Sequence, residues 1–519
     1  MSPAPQSVTP ESERGVITTA LAIGLVLYVT VLRLIFGAHV ELMPEETYYW
    51  NYSRHLAIGY LDHPPMVAWL IRAGTAILGH TALGVRIGAV LCGLVTSVFV
   101  YRLTRNLYGR SSAALALGLA QVLPFFFLQG LLMTPDTPLT AAWAGSLYFL
   151  ERAAVGGHAR AWLWAGLCLG LGLLSKYTIG LLGLGALVYL VVDPRARPWL
   201  RRFEPYAAAV LAFAIFSPVL VWNAEHHWAS FAFQTARRLA GRPRFALPAL
   251  IGAAIVLITP TGFAAAVRAV ASRRFVASGD ADRRAAQRFL RIALLVPMAV
   301  FVLFSLRRQV KLDWTGAAWL AALPLIAREL VEAGGRGASV VRRCWRASML
   351  PTIGVLCIAY PVGLYHLARG LPGLGYDRHI ELLPVGWRQL GRRIDAVVER
   401  YRREHGTEPL VVGMDRYVIA SELAFYGSAR PDPVADTTSG HLFGGMGLMY
   451  ERWFPVDRQR GRTLLLVSLD RSSLEAASVA DSAASLGPIR AGSLTRDGHF
   501  IREYYYRFAY DYRGPPAAH

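Results

Sequence analysis

The sequence is short of charge and of sulfur and has no nucleotide signature, and each shortage closes a class of function. Only 17% of its 519 residues are Asp, Glu, Lys or Arg, while 54% are hydrophobic. An ordinary soluble domain carries about 25% charged residues, so a soluble enzyme is not the default reading. The four cysteines, Cys92, Cys168, Cys344 and Cys357, lie in or beside apolar runs without CxxC spacing, which argues against a zinc cluster and a disulfide framework alike. They read as buried thiols. Neither a Walker loop nor a GxGxxG at a strand-to-helix turn occurs, so a nucleotide-binding transferase is unsupported. Acids are scarce too, 34 against 54 Lys plus Arg. The arginines are scattered among loops instead of sharing one face, so the net charge of +20 points to membrane topology and not to nucleic acid.

What the chain does have is long apolar runs. A membrane helix needs about 20 apolar residues. The candidates are 16–36, 83–103, 112–130, 137–150, 161–174, 177–192, 206–222, 246–270, 289–306, 314–326 and 349–368, which predicts about eleven helices. The first run is too long for a signal-peptide core and lacks a small-residue cleavage site, so it reads as a retained anchor. Alternate loops carry Arg102, Arg105, Arg110, Arg152, Arg160, the arginines of 195–202, the run 273–291, and Arg336, Arg342, Arg343 and Arg346. Those loops belong to the cytoplasm, because cytoplasmic loops retain Lys and Arg. The acids and histidines gather on the other, outer side. An odd number of spans also puts 369–519 outside. That segment reads as a small α/β domain, with a helix at 387–405, a strand at 410–413, a helix at 416–426 and a strand at 463–468. The expected organisation is a cytoplasmic tail 1–15, a transmembrane domain 16–368 and an extracytoplasmic domain 369–519, with a disordered end at 513–519.

The outer loops carry the chemistry. The first reads Pro44-Glu45-Glu46-Thr47-Tyr48-Tyr49-Trp50 and continues Tyr60-Leu61-Asp62-His63-Pro64-Pro65. Glu45 or Glu46 can act as a general base at the water boundary, where aromatic rings are comfortable and a lipid-borne substrate can reach them; the bland account is that both acids favour a helix start. Asp136 and Lys176 stand between apolar spans, where ionisable groups are costly and functional or paired. Asp136 reads as a helix cap with an orienting role, and Lys176 as a contact for an anion. Arg307, Arg308 and Lys311 break the positive-inside trend and suit an anionic partner such as a phosphate head group. Glu225, His226 and His227 offer metal ligands without HExxH spacing, so a zinc enzyme is a weak reading.

These motifs resemble the integral-membrane C-type glycosyltransferases related to protein O-mannosyltransferases and to the bacterial lipid A aminoarabinose and galacturonic acid transferases. The resemblance runs from Glu45 to about Pro324 and includes Thr134-Pro135-Asp136, Leu174-Ser175-Lys176, Trp222-Asn223 with 226–231, and Val310-Lys311-Leu312-Asp313-Trp314. Asp415-Arg416-Tyr417 and Glu422-Leu423-Ala424-Phe425-Tyr426 extend it more weakly into the outer domain. It implies a helical polytopic membrane protein of C-type glycosyltransferase fold with a small C-terminal α/β domain. It also implies a polyprenyl-phosphate-linked sugar as donor, and inverting displacement on the outer face of the bacterial inner membrane. By resemblance Glu45 stands at the catalytic acid, usually Asp, with Glu46 as its rival. Asp62 stands at a second acid, Tyr48 orients, and His63, Lys176, Arg307 and Lys311 serve the donor phosphate. A divalent metal is left open, with Asp62, His226 and His227 as weak ligands; no other cofactor is implied. The acceptor is lipid A or another glycolipid first, a protein or polysaccharide second. A transporter of lipid-linked anions is the competing class, but paired Gly-interrupted spans do not recur in two halves of the chain. A binding module on a membrane anchor would not need about eleven spans.

Overall fold

The computed structural model describes residues 10–235, 243–272, 281–334, 340–376, 383–427, 430 and 432–515. The stretch 273–280, Arg336 and the two ends 1–9 and 516–519, on which part of the loop-charge and tail reading rests, lie outside these residues. The chain divides into two compact units. One comprises Met1–Leu34, His63–Val67 and Ile87–Tyr360; the other comprises Ile35–Asp62, Ala68–Arg86 and Pro361–His519. This division cuts across the expected boundary at 368. The loop after the first long helix groups with the C-terminal segment because its helix Pro44–Arg54 packs its aromatic residues against the helix Val418–Tyr426.

Among the described residues, five helices are long and apolar enough to cross a membrane: Thr18–His39, Ala82–Val122, Glu204–Glu225, Ala281–Ser305 and Arg346–Arg369. Leu247–Ile258 and Pro260–Ala271, bent by 104°, make a sixth if they are counted as one. Shorter apolar helices run Met66–Leu78, Ala161–Leu173 and Tyr177–Val192. The predicted runs 83–103 and 112–130 fall largely within one 41-residue helical stretch, broken at Gly109, where φ is +83°. A left-handed residue cannot continue a helix, so that glycine separates two helical rods. The predicted run 246–270 bends at Thr259, also at positive φ, just before Pro260. The run 314–326 opens as a 3₁₀ turn, Gly316–Ala321, and then becomes the helix Ala322–Glu332.

The first unit packs Trp143, Leu147, Trp162, Phe289, Leu290 and Trp319 into its core. A Cβ on Gly166 would stand 2.4 Å from the Ala208 carbonyl oxygen, so Ala161–Leu173 and Glu204–Glu225 approach backbone to backbone. Leu21 (69% exposed), Val210 (69%) and Leu303 (67%) project outward from the long helices. Such residues suit a lipid face and not water. Arg33 is buried inside an apolar span and is satisfied there by the carbonyls of Phe126 and Phe127 and by the Gln121 side chain.

In the second unit a six-stranded sheet runs in the order β2-β1-β3-β6-β4, with β5 also on β6. The strands are β1 Leu410–Gly413, β2 Thr437–Ser439, β3 Leu464–Ser468, β4 Ala483–Leu486, β5 Arg490–Arg496 and β6 His499–Tyr512. β1 pairs in parallel with β2 and β3, while β6 runs antiparallel to β3, β4 and β5. The helix Trp387–His405 and strand β1 fall where the sequence puts them. Val385, Trp387, Leu390, Ile394, Val411, Leu465 and Val467 form the core between that helix and the sheet.

Candidate active site

The first-loop acids lie in the second unit, at the start of the helix Pro44–Arg54, and they are not equivalent. Proline at the first helical position is preorganised for the turn, and Glu46 folds back to accept from the Met43 backbone N–H at 3.0 Å. Its carboxylate also takes Arg86 Nη2 at 2.5 Å and Nε at 2.9 Å. Arg86 spends its remaining N–H groups on the carbonyls of Gly37, Val40 and Glu41, and both side chains are fully buried. Glu46, expected as a rival base, is thus closed off as a capping and ion-paired residue. Glu45, one position earlier, is half-buried.

Asp62 is buried and accepts from the hydroxyls of Tyr52 and, at 3.3 Å, Tyr48. Burial pushes its carboxyl up, against those two hydrogen bonds and the charge of Arg416. Tyr48 also packs on Tyr417, ring centroids 4.6 Å apart. Burial first, then the charges of Glu45 and Asp62, push the Tyr417 hydroxyl up. Glu45, Asp62, Arg416 and Tyr417 therefore share one electrostatic environment. Sequence reasoning quoted Asp415-Arg416-Tyr417 but gave it no place beside the first-loop acids, and chain distance leaves no signal for it.

Two further acids of this unit, Asp415 and Glu422, stand in motifs that the sequence reading quotes without giving either a role. Both oxygens of Asp415 accept from the Ile419 N–H at 3.2 Å, at the foot of the helix Val418–Tyr426. Desolvation nevertheless pushes its carboxyl up to about 7. A folded-state value above the unfolded one, about 3.9, means stability that is present in acid and lost as pH rises through the folded value. Thermal unfolding of the detergent-solubilised chain should therefore show the wild type losing more stability between pH 5 and pH 8 than Asp415→Asn. Parallel curves would refute the assignment. Glu422 is fully buried on the helix Val418–Tyr426. Burial, with Glu41 and Glu46 nearby, pushes its carboxyl well above the carboxylate range.

In the first unit Lys176 follows the helix Ala161–Leu173 through a short turn. Its Nζ reaches Asp136 at 2.8 Å and Asp313 at 3.1 Å. The expected anion contact is therefore taken up by two carboxylates of the chain itself. Burial alone would lower the Lys176 ammonium, but the acids outweigh it and raise it. Burial alone would raise Asp313, yet Lys176 holds it well below the carboxylate range. Asp136 was expected to cap a helix. It is instead the first residue of Asp136–Leu150, the cap position is Pro135, and its carboxylate is spent on Lys176. Asp313 was missed although its motif was quoted.

The turn carrying His63 joins this group, since the Met66 N–H donates to the Leu174 carbonyl at 3.0 Å. His63 itself is half-buried. Arg307 and Lys311 are exposed in the connection that also carries Asp313. Asn223 ties the turn that follows it, accepting from Ser230 N–H at 3.1 Å and Phe231 N–H at 3.3 Å. Ser230 in turn meets the Tyr177 hydroxyl at 2.8 Å, next to Lys176 in sequence. His226 stacks on Trp222 and its Nδ1 contacts the Trp222 carbonyl at 2.8 Å; His227 is exposed at φ +54°. Among the described residues no group of three or more His, Cys, Asp or Glu could hold a metal ion. Asp62 in the second unit, and His226 and His227 in the first, belong to no such group.

The dolichyl-phosphate-mannose-protein mannosyltransferase family matches residues 62–222. A crystal structure of ArnT from Cupriavidus metallidurans bound to undecaprenyl phosphate superposes with a TM-score of 0.61, covering 94% of this chain and 98% of that one at 16% identity. That likeness establishes the fold. The chain is a helical polytopic membrane protein of the C-type glycosyltransferase fold, with a small C-terminal sheet domain. Two proteins of Rhizobium johnstonii are each 27% identical: the lipid A galacturonosyltransferase RgtD over 42% of this chain and 48% of its own length, and the lipopolysaccharide core galacturonosyltransferase RgtB over 60% and 64%. The match thus spans about half of the first and under two thirds of the second.

Proposed function

We propose that this protein is a glycosyltransferase that moves a sugar from a polyprenyl-phosphate donor to an envelope acceptor, first of all lipid A or another glycolipid. In this reading the reaction takes place at the outer face of the bacterial inner membrane, where 369–519 also lies. The observation that carries the reading is the ArnT fold over nearly the whole chain, in a protein that keeps Glu45 half-buried while Glu46 is fully buried in an ion pair. The names of the galacturonosyltransferase relatives support the acceptor class.

The chemistry assigned to the residues is a single displacement. Glu45 takes the proton of the acceptor hydroxyl as its oxygen attacks the anomeric carbon. The bond from that carbon to the polyprenyl phosphate oxygen breaks, and the phosphate leaves with the electron pair, giving inversion. His63, Arg307 and Lys311 are assigned to the charge growing on that phosphate. Asp62, held by Tyr48 and Tyr52, is a positioning residue. Lys176 orders its loop through Asp136 and Asp313.

Membranes containing the protein, supplied with a panel of polyprenyl-phosphate sugars and phosphorylated glycolipid, should release free polyprenyl phosphate with at least one donor. The sugar should appear in the glycolipid. No release from any donor, with the protein folded, would overturn the reading.

A further inference from the structure

The second unit holds a cavity of about 600 Å³ that the reaction scheme leaves unused, lined among others by Glu41, Arg369, Arg388, Arg392, Arg496 and Asp497. Among the described residues, four guanidinium groups and two carboxylates line it, a surplus of positive charge. One acid is already engaged, because Glu41 Oε2 accepts the Trp387 N–H at 2.7 Å at the start of the helix Trp387–His405. Two of the arginines are held in place. Arg496 donates to the Leu367 carbonyl at 2.8 Å and the Tyr376 hydroxyl at 3.1 Å, and Arg388 lies over the Tyr426 ring. Among the described residues Arg369, Arg388 and Arg392 make no ion pair.

The cavity's place in the chain says what kind of anion it suits. His39 ends the apolar helix Thr18–His39, Arg369 ends Arg346–Arg369, and both line the opening. Helices of that length and apolarity finish at lipid head groups when they cross a bilayer, and on the transmembrane reading the cavity shares that depth. A second cavity of about 520 Å³ shares Arg369, Arg496 and Asp497 with it and continues over Tyr365, Leu371 and Leu374. A guanidinium cluster that grades into an apolar lining matches a ligand with phosphates at one end and hydrocarbon at the other. Guanidinium pairs phosphate oxygens two at a time, while Gln389, Thr495 and Asp497 offer partners for sugar hydroxyls.

We propose that this cavity binds the phosphorylated sugar head group of a membrane glycolipid. That this lipid is the acceptor rests on the transferase reading; the binding itself does not. Native mass spectrometry of the full chain in detergent tests it with four probes: a diphosphorylated acylated glucosamine disaccharide, its dephosphorylated form, phosphatidylglycerol and inorganic phosphate. The diphosphorylated lipid should bind at least about tenfold more tightly than the dephosphorylated one, since each charge-assisted bond is worth about a factor of ten or more. The double variant Arg388→Gln/Arg392→Gln, altered at two exposed positions, should lose that preference, and the Arg→Lys pair should keep part of it. Equal binding of phosphatidylglycerol, displacement by inorganic phosphate alone, or an unaltered preference in the double variant would each overturn the proposal. Binding as expected without sugar transfer from any donor would leave this site standing and remove the transferase reading. Transfer without the binding preference would do the reverse.

Discussion

Glu45→Gln should lower the release of polyprenyl phosphate by about 10²- to 10⁴-fold, the range a positioned general base contributes, with little change in thermal unfolding. The amide is nearly isosteric with the carboxylate but cannot take a proton. Glu45 is only half-buried at the first turn of its helix, and glutamine keeps the side-chain length and a hydrogen-bonding oxygen, so the cost to folding is mainly that of a favourable charge at a helix start, about 0.3–1 kcal/mol. Glu46→Gln is the informative contrast. It removes the charge that compensates Arg86, leaving a fully buried guanidinium without its counter-ion, and such losses cost about 3–5 kcal/mol. The two neighbours should thus separate cleanly, one variant folded and slow, the other unstable. Turnover of Glu45→Gln equal to wild type would remove Glu45 from the role of base. A stable, inactive Glu46→Gln would transfer that role to Glu46. Glu45→Asp, one methylene shorter, should retain measurable turnover, because the proton acceptor is kept and only its reach changes.

How far the sequence announces this arrangement depends on whether the cue is local. The helix Trp387–His405 carries an apolar stripe and ends at a left-handed Gly406, and strand β1 is a short apolar run, so both are legible from periodicity and punctuation. The long strand β6 has its own cue in its Tyr and Phe residues, which favour strands, although no strand is assigned there from the sequence. The break at Gly109 and the bend at Thr259-Pro260 show why counting apolar runs recovers helical rods better than spans. What the sequence could not announce is pairing at a distance. Arg86 looks like an arginine near the start of an apolar run until its partner, 40 positions away, is seen. Asp313 lies 137 positions from Lys176, and Tyr417 reaches Tyr48 from the far end of the chain. Residue type marks such groups as costly to bury, but only the fold says which carboxylate offsets which cation.

Lys176 is where that distinction has the largest consequence for stability. Lys176→Met keeps an unbranched chain of similar length and deletes the charge, leaving Asp136 and Asp313 facing one another without their cation. Breaking a buried pair in this way costs about 3–5 kcal/mol, and the lower end applies because the Asp313 side chain is 39% exposed and water screens part of the penalty. The measurement is the thermal unfolding midpoint of the detergent-solubilised chain, which should fall by several degrees at pH 7. The deficit should shrink as the pH is lowered towards about 4, because one proton shared by two adjacent carboxylates relieves their repulsion. Asp136→Asn/Lys176→Met should recover most of the loss, since the remaining carboxylate, Asp313, is the partly solvated one. If Lys176→Met instead unfolded like wild type while releasing no polyprenyl phosphate, its ammonium would be serving the donor and not the two aspartates. The loop order assigned to it here would then be wrong, and the positive charge counted for the leaving phosphate would have to include it.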